Sequence, residues 1–166
     1  MDLKRSHTYS APIDAVVAML SDPDAVVAKY EGMGHRDVEI LDCTAAGGSI
    51  RVESKRVVDV DLPGFAKKFL TPTNTMHQTD QWNEADDGSW SGEFTVEVDG
   101  APIQMSGTLA LEAGDGTCTQ VVAITMNVKV PLVGGRIADW AGQNDVPRTL
   151  DAEFAFGDGW LADHPV

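Results

Sequence analysis

Between Trp90 and Val128 the chain alternates apolar and polar residues through three successive segments. Trp90, Gly92, Phe94, Val96 and Val98 interleave with Ser91, Glu93, Thr95 and Glu97. Ile103, Met105, Gly107, Leu109 and Leu111 interleave with Gln104, Ser106 and Thr108. Gln120, Val122, Ile124, Met126 and Val128 interleave with Thr119, Ala123, Thr125 and Asn127. A period of two is the pattern of a strand with one face buried. The interruptions, Asp99-Gly100-Ala101-Pro102 and Ala113-Gly114-Asp115-Gly116, are turn sequences. Folded about those turns, Val98 pairs with Ile103, Phe94 with Gly107, Leu111 with Cys118, and Gly107 with Val122. A slip of one residue would scatter the apolar set over both faces. The segment is therefore expected to be an antiparallel meander with one dry and one wet side.

The remaining segments extend the same sheet. Leu3 to Tyr9 reads as a first strand, and Ile13 to Leu20, opened by Pro12, as a helix. Ser21-Asp22-Pro23 caps a second helix from about Asp24 to Glu31, with proline at its first position. Val38 to Cys43 and Ser49 to Val60 flank Thr44-Ala45-Ala46-Gly47-Gly48, a hairpin signal. Asp61 to Thr73 carries two prolines and reads as a long loop; Asn74 to Asn83 reads as the next strand.

The dry face needs a cover. After Pro131 the apolar spacing becomes helical: Ile137, Trp140, Ala141 and Asn144, then Val146, Leu150, Phe154 and Leu161. Pro147 lacks a backbone donor and would clash one turn back, so the cover is one bent helix or two shorter ones.

Composition narrows the partners. Twenty-six acidic residues against 12 basic give a net charge of -14. That field opposes phosphate backbones and anionic lipid surfaces, so nucleic acid and stable membrane association are not expected. Met1 to Ser10 lacks the apolar stretch of a signal peptide, and no apolar run reaches a membrane span. Cys43 and Cys118 lie far apart with no CxxC, which argues against zinc and for reduced thiols of a cytoplasmic protein. No phosphate loop, nucleophile elbow or metal-binding histidine pair is present, so neither cofactor nor metal is expected.

The element order, with Tyr9-Ser10-Ala11-Pro12, Met19-Leu20-Ser21-Asp22-Pro23 and Val130-Pro131-Leu132-Val133-Gly134-Gly135, resembles the START-like or polyketide-cyclase superfamily, also called helix-grip or birch-pollen-allergen-like. Leu62-Pro63-Gly64-Phe65 and Gln81-Trp82 are similar to a bacterial branch of unknown function, domain-of-unknown-function family 2505. The resemblance spans nearly the whole chain. It implies one α+β domain over residues 1–166: a curved seven-stranded antiparallel sheet around a long C-terminal helix, with two short helices after the first strand. It also implies a cavity between sheet and helix.

The residues expected to line that cavity are Trp82, Trp90, Phe94, Met105, Gly107, Gln120, Ile124, Met126, Trp140 and Asn144. Gly107, between Phe94 and Val122, either leaves room for a ligand or relieves the sheet where it curves. Gln120 falls on the apolar face, and a buried polar group without a partner costs about 1–3 kcal/mol. Arg56 shares a face with Ile50, Val52 and Val58 and could pair with an inward acid. On the Asn74–Asn83 strand two registers remain open. Either Gln78 and Asp80 point inward with Trp82, or His77, Thr79 and Gln81 do.

Three functions fit. The first is a binding module for a hydrophobic small molecule of lipid, sterol-like or polyketide type, as monomer or homodimer. The second is a cyclase or dehydratase using Asp80 or His77 in acid–base chemistry. The third is a non-catalytic interaction protein whose cavity is filled by its own side chains. An inward pair of titratable groups with displaced pKa values favours the second over the first.

Overall fold

A computed structural model describes residues 1–165. Seven strands form one antiparallel sheet in the order β1-β7-β6-β5-β4-β3-β2. They are β1 (Asp2–Tyr9), β2 (Arg36–Ala46), β3 (Ser49–Asp59), β4 (Thr73–Glu84), β5 (Trp90–Val98), β6 (Ile103–Ala113) and β7 (Cys118–Val128). After β1 the chain passes through α1 (Ile13–Leu20) and α2 (Pro23–Gly32) before starting β2 at the far edge. The two helices thus bridge the open ends of a curved sheet.

Local chemistry explains these elements. The Asp22 carboxylate accepts from the Asp24 amide at 2.9 Å, and Pro23 starts α2. The β2–β3 hairpin closes through Gly47 and Gly48, whose φ values of 60° and 75° suit glycine in a two-residue turn.

Strand alternation is as expected: Phe94, Val96 and Val98 are buried while Glu93, Thr95 and Glu97 are exposed. Phe94 pairs with Gly107, as expected. The next hairpin is offset: Gly107 pairs with Ile124 rather than Val122, and Leu111 with Gln120 rather than Cys118. The turn closes on Gly114 and Thr117, 2.9 Å from amide to carbonyl. An offset of two positions leaves every side chain on its expected face, so burial survives.

The segment between β3 and β4 is less open than its prolines suggest. It coils over Pro63–Leu70 and buries Leu62, Ala66 and Leu70 against Ile137, a second small core.

The C-terminal cover is helical from α3 (Gly134–Trp140) to α4 (Val146–Asp163), joined by a π turn over Ala141–Asp145. The Val146 amide donates to the Ala141 carbonyl, so Pro147 follows immediately after a widened turn. This turn resets the helical phase. The buried set runs Ile137, Ala138, Ala141, then Val146, Leu150, Phe154, Gly157 and Leu161. Asn144, expected beside that stripe, is rotated outward, where its amide donates to the Trp140 carbonyl at 2.9 Å.

Candidate functional site

The main backbone neighbours of α4 outside its own helix are α1, α2 and β1; the middle of the sheet stands back from it. The space left is a cavity of about 410 Å³. Its sheet side carries Val58, Met76, Val96, Leu109 and Val122, and its helix side Val146 and Leu150. Exposed Gly34, Asp59 and Arg148 border its opening.

Five of the expected lining residues meet there: Trp82, Phe94, Met105, Gln120 and Ile124. Five do not. Trp90 sits beyond Gly92, opposite Leu111, and packs on the core. Met126 is core, its carbonyl accepting from the N-terminal amine at 3.0 Å. Trp140 is wedged half-buried between the two cores, and Asn144 faces out. Gly107 offers no free space. A Cβ there would lie 2.6 Å from the Phe94 ring and collide with the Ala123 carbonyl oxygen. The reading in which this glycine relieves the curving sheet is therefore the one the geometry supports.

The open register on β4 resolves with Gln78, Asp80 and Trp82 inward. His77 points to the other side and bonds Glu53 at 2.8 Å, so of the two acid–base candidates only Asp80 reaches the cavity. A polar wall takes its place. Arg56, only 5 % exposed, donates to His35 Nδ1 at 3.1 Å, to Ser54 Oγ at 3.4 Å and to Gln78 Oε1 at 2.8 Å. Gln78 in turn donates to Asp80 Oδ1 at 2.9 Å. The guanidinium also lies 3.8 Å over the Tyr30 ring.

A smaller void of about 40 Å³ lies between α1, α2 and α4. Both voids touch Leu20, Lys29, Asp80, Trp82, Gln120 and Glu153, which therefore form the partition between them. Burial raises the Asp80 carboxyl above its usual range, with Lys29, Gln78 and Arg56 opposing. For Lys29 burial opposes the charge, but Tyr30, Glu153 and Asp80 more than offset it, so its pKa is raised and it stays an ammonium. Burial, then Arg56 and Lys29, lower His35 to about 4. Its Nδ1 accepts from Arg56, so the neutral ring carries its proton on Nε2.

Sequence reading places Arg56, Gln78 and Asp80 among the inward candidates, but it does not anticipate Lys29, His35 and Glu153. These come from α2, the loop after it and α4, where no alternating pattern marks an inward side chain. No group of three or more histidine, cysteine or acidic side chains is placed to hold a metal among the described residues. Nor is any helix among them long and apolar enough to cross a membrane.

No curated protein sequence matches the chain significantly. Among solved structures, TTHA0849 from Thermus thermophilus superposes with a TM-score of 0.66 at 12% identity, covering 100% of both chains. Ara h 8.0201 gives 0.63 at 14% identity, covering 99% of each chain. Norcoclaurine synthase from Thalictrum flavum gives 0.61 at 12% identity, covering 99% of this chain and 87% of its own. At such identities the likeness concerns the fold alone, a curved antiparallel sheet gripping a long C-terminal helix. A family model, "Protein of unknown function (DUF2505)", matches residues 4–161, and the chain belongs to that family.

Proposed function

We propose that this protein binds a hydrophobic small molecule, of lipid, sterol-like or polyketide type, between its sheet and α4. The observation that carries this reading is the cavity of about 410 Å³, walled by Trp82, Phe94, Val96, Leu109 and Leu150 and left unfilled by the protein's own side chains. Its size and mixed lining are those of small-molecule sites. The void also weighs against an interaction protein with a filled interior.

Titration with the neutral fluorophore N-phenyl-1-naphthylamine tests the proposal. Met105 is half-buried and faces the void, so Met105→Trp has space to occupy. The variant should keep the wild-type melting temperature and bind the probe at least about tenfold more weakly. Wild-type protein that never binds the probe would refute the reading.

One observation favours a second reading, acid–base catalysis on the bound molecule. Asp80, raised by burial, and His35, held neutral, line the same cavity. One structural neighbour, norcoclaurine synthase, is described in complex with dopamine and hydroxybenzaldehyde. Chemical conversion of a co-purified molecule by wild type but not by Asp80→Asn would establish catalysis here.

A further inference from the structure

We propose that the ligand is an acid, and that its carboxylate seats at the partition against the Gln120 amide and the Lys29 ammonium, with Arg56 behind them. This rests on the binding reading above and names the chemistry of the group it binds.

Gln120 is the first reason. It is 8 % exposed, yet it sits on a cavity wall. Its Oε1 accepts from the Tyr9 hydroxyl at 2.9 Å, in a buried bond. That hydroxyl has no other acceptor among the described residues, which fixes the amide's orientation. The amide's Nε2 is left with two donors and no protein partner among those residues. No buried side-chain nitrogen or oxygen among the described residues is left without a partner, so this donor opens onto the cavity, where a ligand oxygen can accept from it.

Lys29 is the second. Its ammonium makes no hydrogen bond and no ion pair among the described residues, although the side chain lines both voids. Arg56 is the third. Its three hydrogen bonds all go to neutral groups, so a nearly buried guanidinium has no carboxylate directly against it.

The sign of the nearby cations points the same way. Lys29 stands at the partition with Asp80 and Glu153, and Arg56 lines the larger cavity beside it. Asp80 already accepts from Gln78. An acid would meet Lys29 and Arg56 as opposite charges, whereas an amine would meet them as like charges. The apolar body of such an acid has Trp82, Phe94, Val122 and Leu150 to lie against, between the partition and the opening at Gly34 and Asp59.

Three probes with one tail separate head-group recognition from tail burial. Dodecanoate, dodecanol and dodecylammonium are each made to displace N-phenyl-1-naphthylamine. Wild type should prefer dodecanoate over dodecanol by at least about tenfold and bind dodecylammonium most weakly. Lys29→Met should abolish that preference while the dodecanol affinity stays within about twofold. Gln120→Glu should do the same. It keeps an acceptor for Tyr9 while replacing the inward donors with a carboxylate, so it remains informative if Lys29→Met fails to fold. Equal affinity of wild type for acid and alcohol overturns the inference alone, as does a variant that weakens both probes alike. Failure of every probe to bind wild type overturns the binding reading, and this inference with it.

Discussion

The Tyr9 hydroxyl donates to Gln120 Oε1 at 2.9 Å, joining the first strand to the last beneath the long helix. Gly157 makes the contact possible, since a Cβ there would lie 2.6 Å from the Tyr9 ring. Burial, then the charges of Glu153 and Asp158, raise the Tyr9 pKa, so the phenol remains a donor across the working pH range.

Tyr9→Phe should therefore destabilise the protein without changing its fold. A buried hydrogen bond contributes about 0.5–1.5 kcal/mol, and an orphaned acceptor raises the cost to about 1–3 kcal/mol. Urea denaturation should show a lower midpoint with an unchanged slope. An unchanged midpoint would mean that Gln120 is held by something else.

Gly107→Ala should be costly although the residue lies on a strand and the substitution adds one carbon. The new methyl meets the Phe94 ring and the Ala123 carbonyl, and overpacking of this kind costs about 1–3 kcal/mol. The melting temperature should fall by several degrees. A variant as stable as wild type would reopen the space that the structure closes.

The meander was legible because its period survives uncertainty about its turns. Phe94, Leu109 and Val122 stay inward whether Gly107 faces Val122 or Ile124. The helix was legible except just after Ala141: Ile137 and Ala141 before that point and Val146, Leu150, Phe154 and Leu161 beyond it are buried as expected. From Ala141 a π turn replaces the usual spacing, so an extrapolated stripe places Asn144 inside when it lies outside. The pair Val146-Pro147 was the signal, since a proline inside a helix demands some local widening. The polar wall was half legible. Arg56 stands out as a charge on an inward strand position and Asp80 does so in one of the two registers open to its strand, whereas Lys29 sits on a short helix whose facing depends on how it docks.

Trp82→Ala and Phe154→Ala should both destabilise strongly. From sequence, Trp82 is expected only to line the cavity. In the fold it is 2 % exposed and forms part of the partition, opposite Gly92. Removing either ring should cost about 3–5 kcal/mol in chemical denaturation. A Trp82→Ala protein of wild-type stability would show that the ring is not part of the core.

His35 makes stability depend on pH in a defined window. Its ring stacks on Tyr30 at 5.6 Å and accepts from Arg56, and burial with the charges of Arg56 and Lys29 holds its pKa at about 4. An unfolded histidine titrates near about 6.5. Between these values the unfolded chain carries the proton and the folded chain does not, so protonation favours unfolding. Stability should fall as pH drops from about 6.5 towards 4, and this residue should add no further loss below that. The carboxylates of Asp59 and Asp87, lowered by their hydrogen bonds, also lose stabilising interactions in acid, so His35 must be isolated by difference. His35→Gln keeps an acceptor for Arg56 and removes the titration. Urea midpoints at about pH 7 and about pH 5, on either side of the unfolded pKa, should separate less in this variant than in wild type. Equal separation in the two proteins would show that His35 titrates normally and that Arg56 does not hold it neutral.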